Sequence, residues 1–377
     1  MKSDWQRLTI VIHSLTGGGS EHAAANMASY WAETGREVTL LTLDSVENDQ
    51  IELFPKVERV ALGVMSDSRG IWSAIRANCH RIRKLRAALM KSAPDRVISL
   101  TDRMNVLTLL AARKTKLRVF VAERTDIRHH RTGRVWEWLR KRTYPTACSI
   151  IVQTEAVKAV VQQFAGRAPV HVIPNAVSIP DTGGREQEIR LLDGRRWFVA
   201  VGRLSHEKGF DRLIDAFAST AEKCPEWNLL IVGDGPEKSR LVKSVRNYDL
   251  DHRIRLAGWV ESPWSALPTS SISVLPSRYE GFPNVLLEAM SHGIAPIAFD
   301  CQSGPSEIIR HNLDGLLVPA DDVSGLSAAM LSLANDPELR SRLADAARSV
   351  TDRFSPDRVF GQWGAILEHP AGTLRPL

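Results

Sequence analysis

Short apolar runs alternate with amphipathic stretches along most of the chain. The first half reads as strand (Leu8–His13), Gly-rich loop, helix (Glu21–Thr34) and strand (Glu37–Leu43), with further apolar runs at Arg96–Leu100, Arg118–Ala122 and Ser149–Gln153. The polar, Gly-containing stretch Pro180–Gln187 predicts a linker. The pattern then restarts: strand Trp197–Val201, loop Gly202–Gly209, helix Phe210–Glu222, strand Asn228–Val232, strands Ile254–Ala257 and Ile272–Leu275, and a loop and helix over Ser277–His292 with Pro283 in the first turn. Apolar strands separated by helices imply a parallel sheet covered on its faces. The expected class is therefore α/β, with two Rossmann-like, doubly wound domains, 1–180 and 188–354, facing a central cleft.

Composition narrows the class. The 377 residues are 44% hydrophobic and 24% charged, which is globular and large enough for two cores. Cys79, Cys148, Cys224 and Cys301 are dispersed without a CxxC pair, against a zinc site or disulfide framework and in keeping with a reducing compartment. Leu8–Ile12 is too brief for a signal peptide's apolar segment, and no stretch approaches the roughly 20 apolar residues of a membrane span. The net charge of +6 is unevenly placed: residues 71–150 hold 19 Lys/Arg against five acids, +14, leaving −8 elsewhere. One surface is thus expected to meet a polyanion, whether phospholipid, pyrophosphate or nucleic acid.

Three loops carry candidate chemistry. Gly17-Gly18-Gly19-Ser20-Glu21 joins a strand to a helix, reading either as a backbone cradle for phosphate or as a tight turn capped by Ser20. Asp44 ends the next strand where a dinucleotide fold places its ribose acid, but His22 fills the third glycine position of that fingerprint. The loop Gly202–Gly209 sets Arg203 and Lys208 at the end of a strand, as phosphate-neutralising cations or as ordinary solvated charges. Glu280-Gly281-Phe282-Pro283-Asn284 leads into a helix bearing Glu288, so two carboxylates could accept sugar hydroxyls beside helix amides, or simply cap a turn and face solvent.

Taken in order with Ile173-Pro174-Asn175-Ala176, these elements resemble a retaining, nucleotide-sugar-dependent glycosyltransferase of the GT-B fold, family 4, with its Glu-x7-Glu element at Glu280 and Glu288. Asp300–Ile309 and Asn312–Pro319 resemble the subgroup that builds lipid-linked oligosaccharides and surface polysaccharides. The resemblance implies that Arg203 and Lys208 hold the donor diphosphate, Glu280 contacts the transferred sugar and Glu288 the ribose. It places backbone groups of Gly202, Gly281, Phe282 and Asn284 along the donor, and Gly17 and Gly18 at its phosphates. Ile254–Gly258, with Trp259 and Val260, falls near the base. It further implies a UDP-sugar donor with a hexose or N-acetylhexosamine, a glycan or polyprenyl-diphosphate-linked acceptor, and same-face attack. No metal or other cofactor is expected, the two cations taking a divalent ion's place. Residues 355–377 are expected to form a helix and tail crossing back to the first domain.

Where many relatives carry histidine, this chain reads Val121-Ala122-Glu123-Arg124-Thr125-Asp126, so Glu123 either positions an acceptor hydroxyl or pairs with Arg124. His13, His129 and His130 are expected to be structural, and Asp249-Leu250-Asp251 to be a surface turn. The stretch Arg128–Arg142 reads as an interfacial helix, with Trp136 and Trp138 on one side and Arg140 and Lys141 flanking, docking at an anionic inner leaflet, or else as a core-facing helix with solvated lysines and arginines. A peripheral enzyme on the cytoplasmic side of the plasma membrane, with no nucleic-acid partner, is the resulting expectation. The rivals are an epimerase or phosphorylase on the same fold, an NAD-dependent oxidoreductase, and a nucleic-acid-binding protein.

Overall fold

The computed structural model describes residues 5–65, 70–130, 132–177, 195–260 and 263–370, so the expected linker at 180–187 lies outside them. The chain divides into two compact units, one running through Ala176 and resuming at Pro356, the other from Val177 to Ser355.

The first unit contains β1 (Arg7–Ile12), α1 (Gly19–Glu33), β2 (Glu37–Thr42), β3 (Val57–Ala61), α2 (Ile71–Ser92), β4 (Arg96–Leu100), α3 (Asp102–Ala112), β5 (Val119–Ala122), α4 (Arg134–Thr143), β6 (Ser149–Val152), α5 (Glu155–Val161) and β7 (Val170–Val172). The strands are all parallel, in the order β3-β2-β1-β4-β5-β6-β7. Successive residues alternate between faces. Leu8, Ile10, Ile12, Ile98 and Phe120 pack with Met27, Ala28 and Trp31 of α1, whereas Val11, Val97, Val119 and Val121 pack with Leu85 and Leu89 of α2 and with α3.

The second unit follows with β8 (Arg196–Val201), α6 (Phe210–Thr220), β9 (Trp227–Val232), α7 (Lys238–Asn247), β10 (Ile254–Gly258), β11 (Ile272–Leu275), α8 (Asn284–Ser291), β12 (Ala295–Asp300), α9 (Pro305–Ile308), β13 (Leu316–Pro319), α10 (Val323–Asn335), α11 (Pro337–Ala347) and α12 (Val350–Arg353). Its parallel sheet runs β10-β9-β8-β11-β12-β13. Phe198, Ala200, Leu229 and Ile231 line one face, and Trp197, Val199, Leu230 and Val232 the other.

The last helix, α13 (Pro356–Glu368), is built into the first unit. Phe360 packs on Tyr30 at 4.7 Å between ring centroids, Trp363, Ile366 and Leu367 are buried, and Arg96 Nε donates to the Leu367 carbonyl at 2.7 Å. That guanidinium fixes the helix's carboxyl end where its carbonyls lack intrahelical donors.

Candidate active site

In each sheet the chain lays three strands to one side and then crosses to the other side of the first, so β1 lies beside β4 and β8 beside β11. Loops leaving the carboxyl ends of such a pair open a crevice, where doubly wound sheets bind ligands.

In the second unit the loop after β8 carries Arg203 and Lys208, and the loop after β11 carries Ser277 to Pro283. Lys208 Nζ donates to Glu280 Oε1 at 2.7 Å, and Ser277 Oγ donates to the same oxygen at 2.7 Å. Glu280 is buried, and among the described residues its second oxygen takes no hydrogen bond. Burial would lower the Lys208 pKa, but the charge and hydrogen bond of Glu280 outweigh it and hold the ammonium above its ordinary range. Arg203 is exposed and makes no ion pair among the described residues. One cation is thus fixed and the other left at the rim.

The two loops are locked together. Arg278 grips Asp211, the second residue of α6, through Nη1 to Oδ1 at 2.8 Å and Nη2 to Oδ2 at 2.7 Å, and also donates to the His206 carbonyl at 2.7 Å. The Arg278 amide donates to the Glu207 carbonyl at 2.8 Å. Gly209 has φ +65° and lies so close to the Pro276 carbonyl that a Cβ there would collide with it. From beneath, the Leu204 amide donates to the Asp234 carbonyl at 2.9 Å, and the Glu237 amide to the Leu204 carbonyl at 2.9 Å.

Pro283 is the N-cap of α8 and not a first-turn residue, so the helix starts at Asn284 and Glu288 still falls in its second turn. Phe282 is buried against Phe354 at 5.7 Å, leaving Gly281, Phe282 and Asn284 to offer backbone groups at this edge. Ser303 Oγ donates to the Gly281 carbonyl at 3.3 Å. Burial pushes the Glu288 carboxyl above the usual carboxylate range, with the Trp264 indole opposing it, so Glu288 is not the solvent-facing residue of the plainer reading. Beneath Glu280, burial pushes the Cys301 thiol up to about 12, so it stays protonated. Gly202 sits at the end of β8, its amide donating to the Val232 carbonyl at 3.0 Å. Asp249 (φ 54°) and Asp251 lie in the turn before β10.

The first unit corrects several expectations. α1 begins at Gly19 with Gly18, not Ser20, at the N-cap. The Gly18 amide donates to Glu21 Oε2 at 2.8 Å, so it is engaged by a side chain of its own helix instead of standing ready for phosphate. Gly17, at φ +99°, supplies the turn. Asp44 is turned onto its own loop, accepting from the Ser45 amide and Asn48 Nδ2, both at 2.9 Å, which removes it as a ribose ligand.

Glu123 does not pair with Arg124. It accepts from the Tyr144 hydroxyl and from Arg140 Nη1 at 3.4 Å, and Oε2 has no partner among the described residues. Burial raises its pKa despite Arg140 and Tyr144. Arg124 instead donates to Asn175 Oδ1, burial bringing its pKa down to about 10. Arg140 is therefore a buried counter-ion, not a membrane-facing residue. Trp136 is half-buried, while Trp138 and Lys141 are exposed. The helix turns Arg140 and Thr143 fully inward and packs Trp136 and Leu139 partly against the core, which leaves Val135 and Trp138 outside. Nearby, His130 meets Asp102 at 3.3 Å.

Sequence reasoning missed Asp211, Ser277, Arg278, Tyr144 and Glu21. Only Glu21 left a local signal, a carboxylate three residues after the helix cap.

Residues 17–179 match the family described as Glycosyltransferase Family 4, and residues 185–350 the family described as Glycosyl transferases group 1. The chain is 26% identical to the amylovoran biosynthesis glycosyltransferase AmsD of Erwinia amylovora over 96% of this chain and 99% of that one. It is 24% identical, over 96% and 98%, to an N-acetyl-D-galactosaminyltransferase of Campylobacter jejuni named for an undecaprenol-diphosphate-linked acceptor. An exopolysaccharide phosphotransferase of Streptomyces coelicolor is 36% identical over 59% of this chain, which spans only 23% of that protein's length. Among solved structures, Anabaena HepE with UDP-glucose superimposes with a TM-score of 0.75 at 20% identity, covering 96% of this chain and 99% of that one. The chain belongs to the family 4 glycosyltransferases of the GT-B fold.

Proposed function

We propose that the enzyme is a retaining, metal-independent transferase that moves a hexose or N-acetylhexosamine from a UDP-sugar to a glycan or polyprenyl-diphosphate-linked acceptor in surface-polysaccharide assembly. The observation that carries the reading is the Lys208–Glu280 pair at 2.7 Å, formed where the loops leaving two adjacent strands meet. Breaking the bond between sugar C1 and the diphosphate oxygen builds positive character at carbon and negative charge on the leaving group. On this reading Lys208 and Arg203 meet that negative charge, and the amino end of α8 adds its dipole. The free oxygen of Glu280 is available to a sugar hydroxyl, and Glu288 to the ribose. The acceptor oxygen bonds to C1 on the face that the diphosphate leaves, and its proton passes to the departing diphosphate. Glu123, at the end of β5, is assigned to positioning the acceptor hydroxyl through the carboxylate oxygen that has no partner among the described residues.

Support for UDP and for a lipid-borne acceptor comes from relatives whose names carry them. Neither cation needs a divalent ion to neutralise a diphosphate, which is the reason for assigning none. The test is calorimetry of EDTA-treated protein with a panel of nucleotide sugars, followed by transfer to a polyprenyl-diphosphate saccharide and NMR of the new linkage. Uptake of a UDP-sugar and an α-linkage from an α-donor are expected. No uptake by chelated protein, or an inverted linkage, would overturn the proposal. Donor epimerised or phosphorolysed without acceptor would favour the rival chemistry.

A further inference from the structure

α2 exposes an unusual face. Its sequence from Ile71 to Ser92 contains six Lys/Arg and no acid. Leu85 and Leu89 are buried against the sheet and Ile82 and Ala88 partly so, which sets its inward side. Trp72, Arg76, Cys79, Arg83, Arg86 and Met90 recur at alternating four- and three-residue spacing, so they form one stripe on the opposite side, with Ile75 at its border. All are exposed, Trp72 by 84%, Met90 by 55% and Ile75 by 49%. Met65, before the helix, is 51% exposed.

A solvated helix face does not need an indole in water, and a basic face ordinarily carries some acids to relieve its own repulsion. A surface with phosphates above an apolar layer satisfies both features at once: the guanidinium groups meet the charge, and the indole, thioether and isoleucine enter beneath it. Nucleic acid supplies the phosphates but not the apolar layer. We propose that the outer stripe of α2, and not the inward-turned Trp136 and Arg140 of α4, docks the enzyme on an anionic lipid bilayer. The proposal deepens the reading of a lipid-borne acceptor and rests on it for its purpose.

The test uses the full chain and sedimentation with vesicles of phosphatidylcholine alone or mixed with phosphatidylglycerol. Wild type is expected to partition onto the anionic vesicles and not the neutral ones. Arg86 also donates to the Arg113 carbonyl at 3.0 Å and is left in place; the charge-reversed R76E/R83E protein should bind at least about 100-fold more weakly. W72A/M90A should weaken binding about tenfold, both variants melting as wild type does, whereas W138A should bind as wild type. Equal binding to both vesicles, undiminished binding of the charge-reversed protein, or loss caused by W138A alone would overturn the assignment. So would retention of wild type on duplex DNA without vesicle binding. A parallel transfer assay with a detergent-soluble acceptor separates the two claims. The charge-reversed protein should keep its turnover there. Absence of transfer by wild type would sink the functional reading and leave the vesicle result standing.

Discussion

Lys208 and Glu280 lie 72 residues apart in sequence and 2.7 Å apart in space. The strand order explains the meeting: β8 and β11 are neighbours at the point where the sheet reverses its direction of growth, so their loops share one crevice. The ammonium is thereby held charged and immobile before any substrate arrives, which is the condition for electrostatic stabilisation of a developing anion. Lys208→Ala and Glu280→Ala are each expected to lower turnover by about 100-fold or more, about 2.7 kcal/mol at the barrier. Glu280→Gln, which keeps the acceptor oxygen for Ser277, should lose less than Glu280→Ala. Steady-state kinetics at saturating donor checks this, and a near-normal rate for Lys208→Ala would remove the phosphate assignment.

The Arg278–Asp211 clamp joins the loop of Lys208 to the loop of Glu280 without reaching the crevice itself. Burial would raise the Asp211 pKa, but the hydrogen bonds and charge of Arg278 overcome it and hold the carboxyl at about 2. Arg278→Ala should therefore cost about tenfold in kcat with little change in donor KM, through loss of orientation. Asp211→Asn added to it should cost little more, since both substitutions undo the contact that joins the loops and the other side-chain partner of Asp211 is the exposed Arg240 at 3.2 Å. Additive losses in the double variant would show that the two residues act separately.

The sheets were legible because their strands are nearly continuous apolar runs: Arg96–Leu100 and Ile272–Leu275 form over the residues expected. β12 and β13 were hidden by Pro296 and Pro319 inside or at the end of the strand, and β7 by its three-residue length. The candidate loops could be located from glycine and charge, but their pairings could not. Glu123 and Arg124 adjoin in sequence, and neighbours leaving a strand point to opposite sides. Glu123 therefore finds Arg140 and Tyr144, and Arg124 finds Asn175. The helix over Arg134–Thr143 misled for a related reason. Its arginines read as surface charge, whereas Arg140 turns inward to the buried carboxylate of Glu123, with Asp102 also within its electrostatic reach.

Glu288 gives a pH signature. Its pKa is raised by burial, so it takes up a proton at higher pH than an ordinary carboxylate. If the ionised form accepts the ribose hydroxyls, donor affinity should decline on acidification from above the usual carboxylate range, before the fold is affected. Glu288→Ala should weaken donor binding about tenfold or more, the value of one hydrogen bond to a charged acceptor, and abolish that pH dependence. Calorimetric titration across pH checks both; a pH profile unchanged in Glu288→Ala would assign the titration elsewhere.

Glu21 gives the opposite sign. Burial alone would raise its pKa, but His13 and Ser14, together with the Gly18 amide, hold it at about 2 against an ordinary 4.5. His13 Nε2 lies 3.0 Å from Oε1, and the Ser14 hydroxyl donates to the same oxygen. A carboxylate depressed by folding stabilises the native state fully above pH 4.5 and loses that contribution as pH falls toward about 2. At 1.36 kcal/mol per pKa unit the contribution is about 3 kcal/mol. Glu21→Gln should therefore be less stable than wild type by up to that amount at neutral pH. Part of the loss reflects Gly18, whose amide keeps an acceptor only if the glutamine carbonyl turns toward it. Chemical denaturation from pH 7 downward should show the two proteins converging below pH 4.5, because protonation removes from wild type what the substitution has already removed from the variant. A gap that stays constant through that range would mean that the Gly17–Gly18 turn is held by shape alone, with the charge of Glu21 contributing nothing.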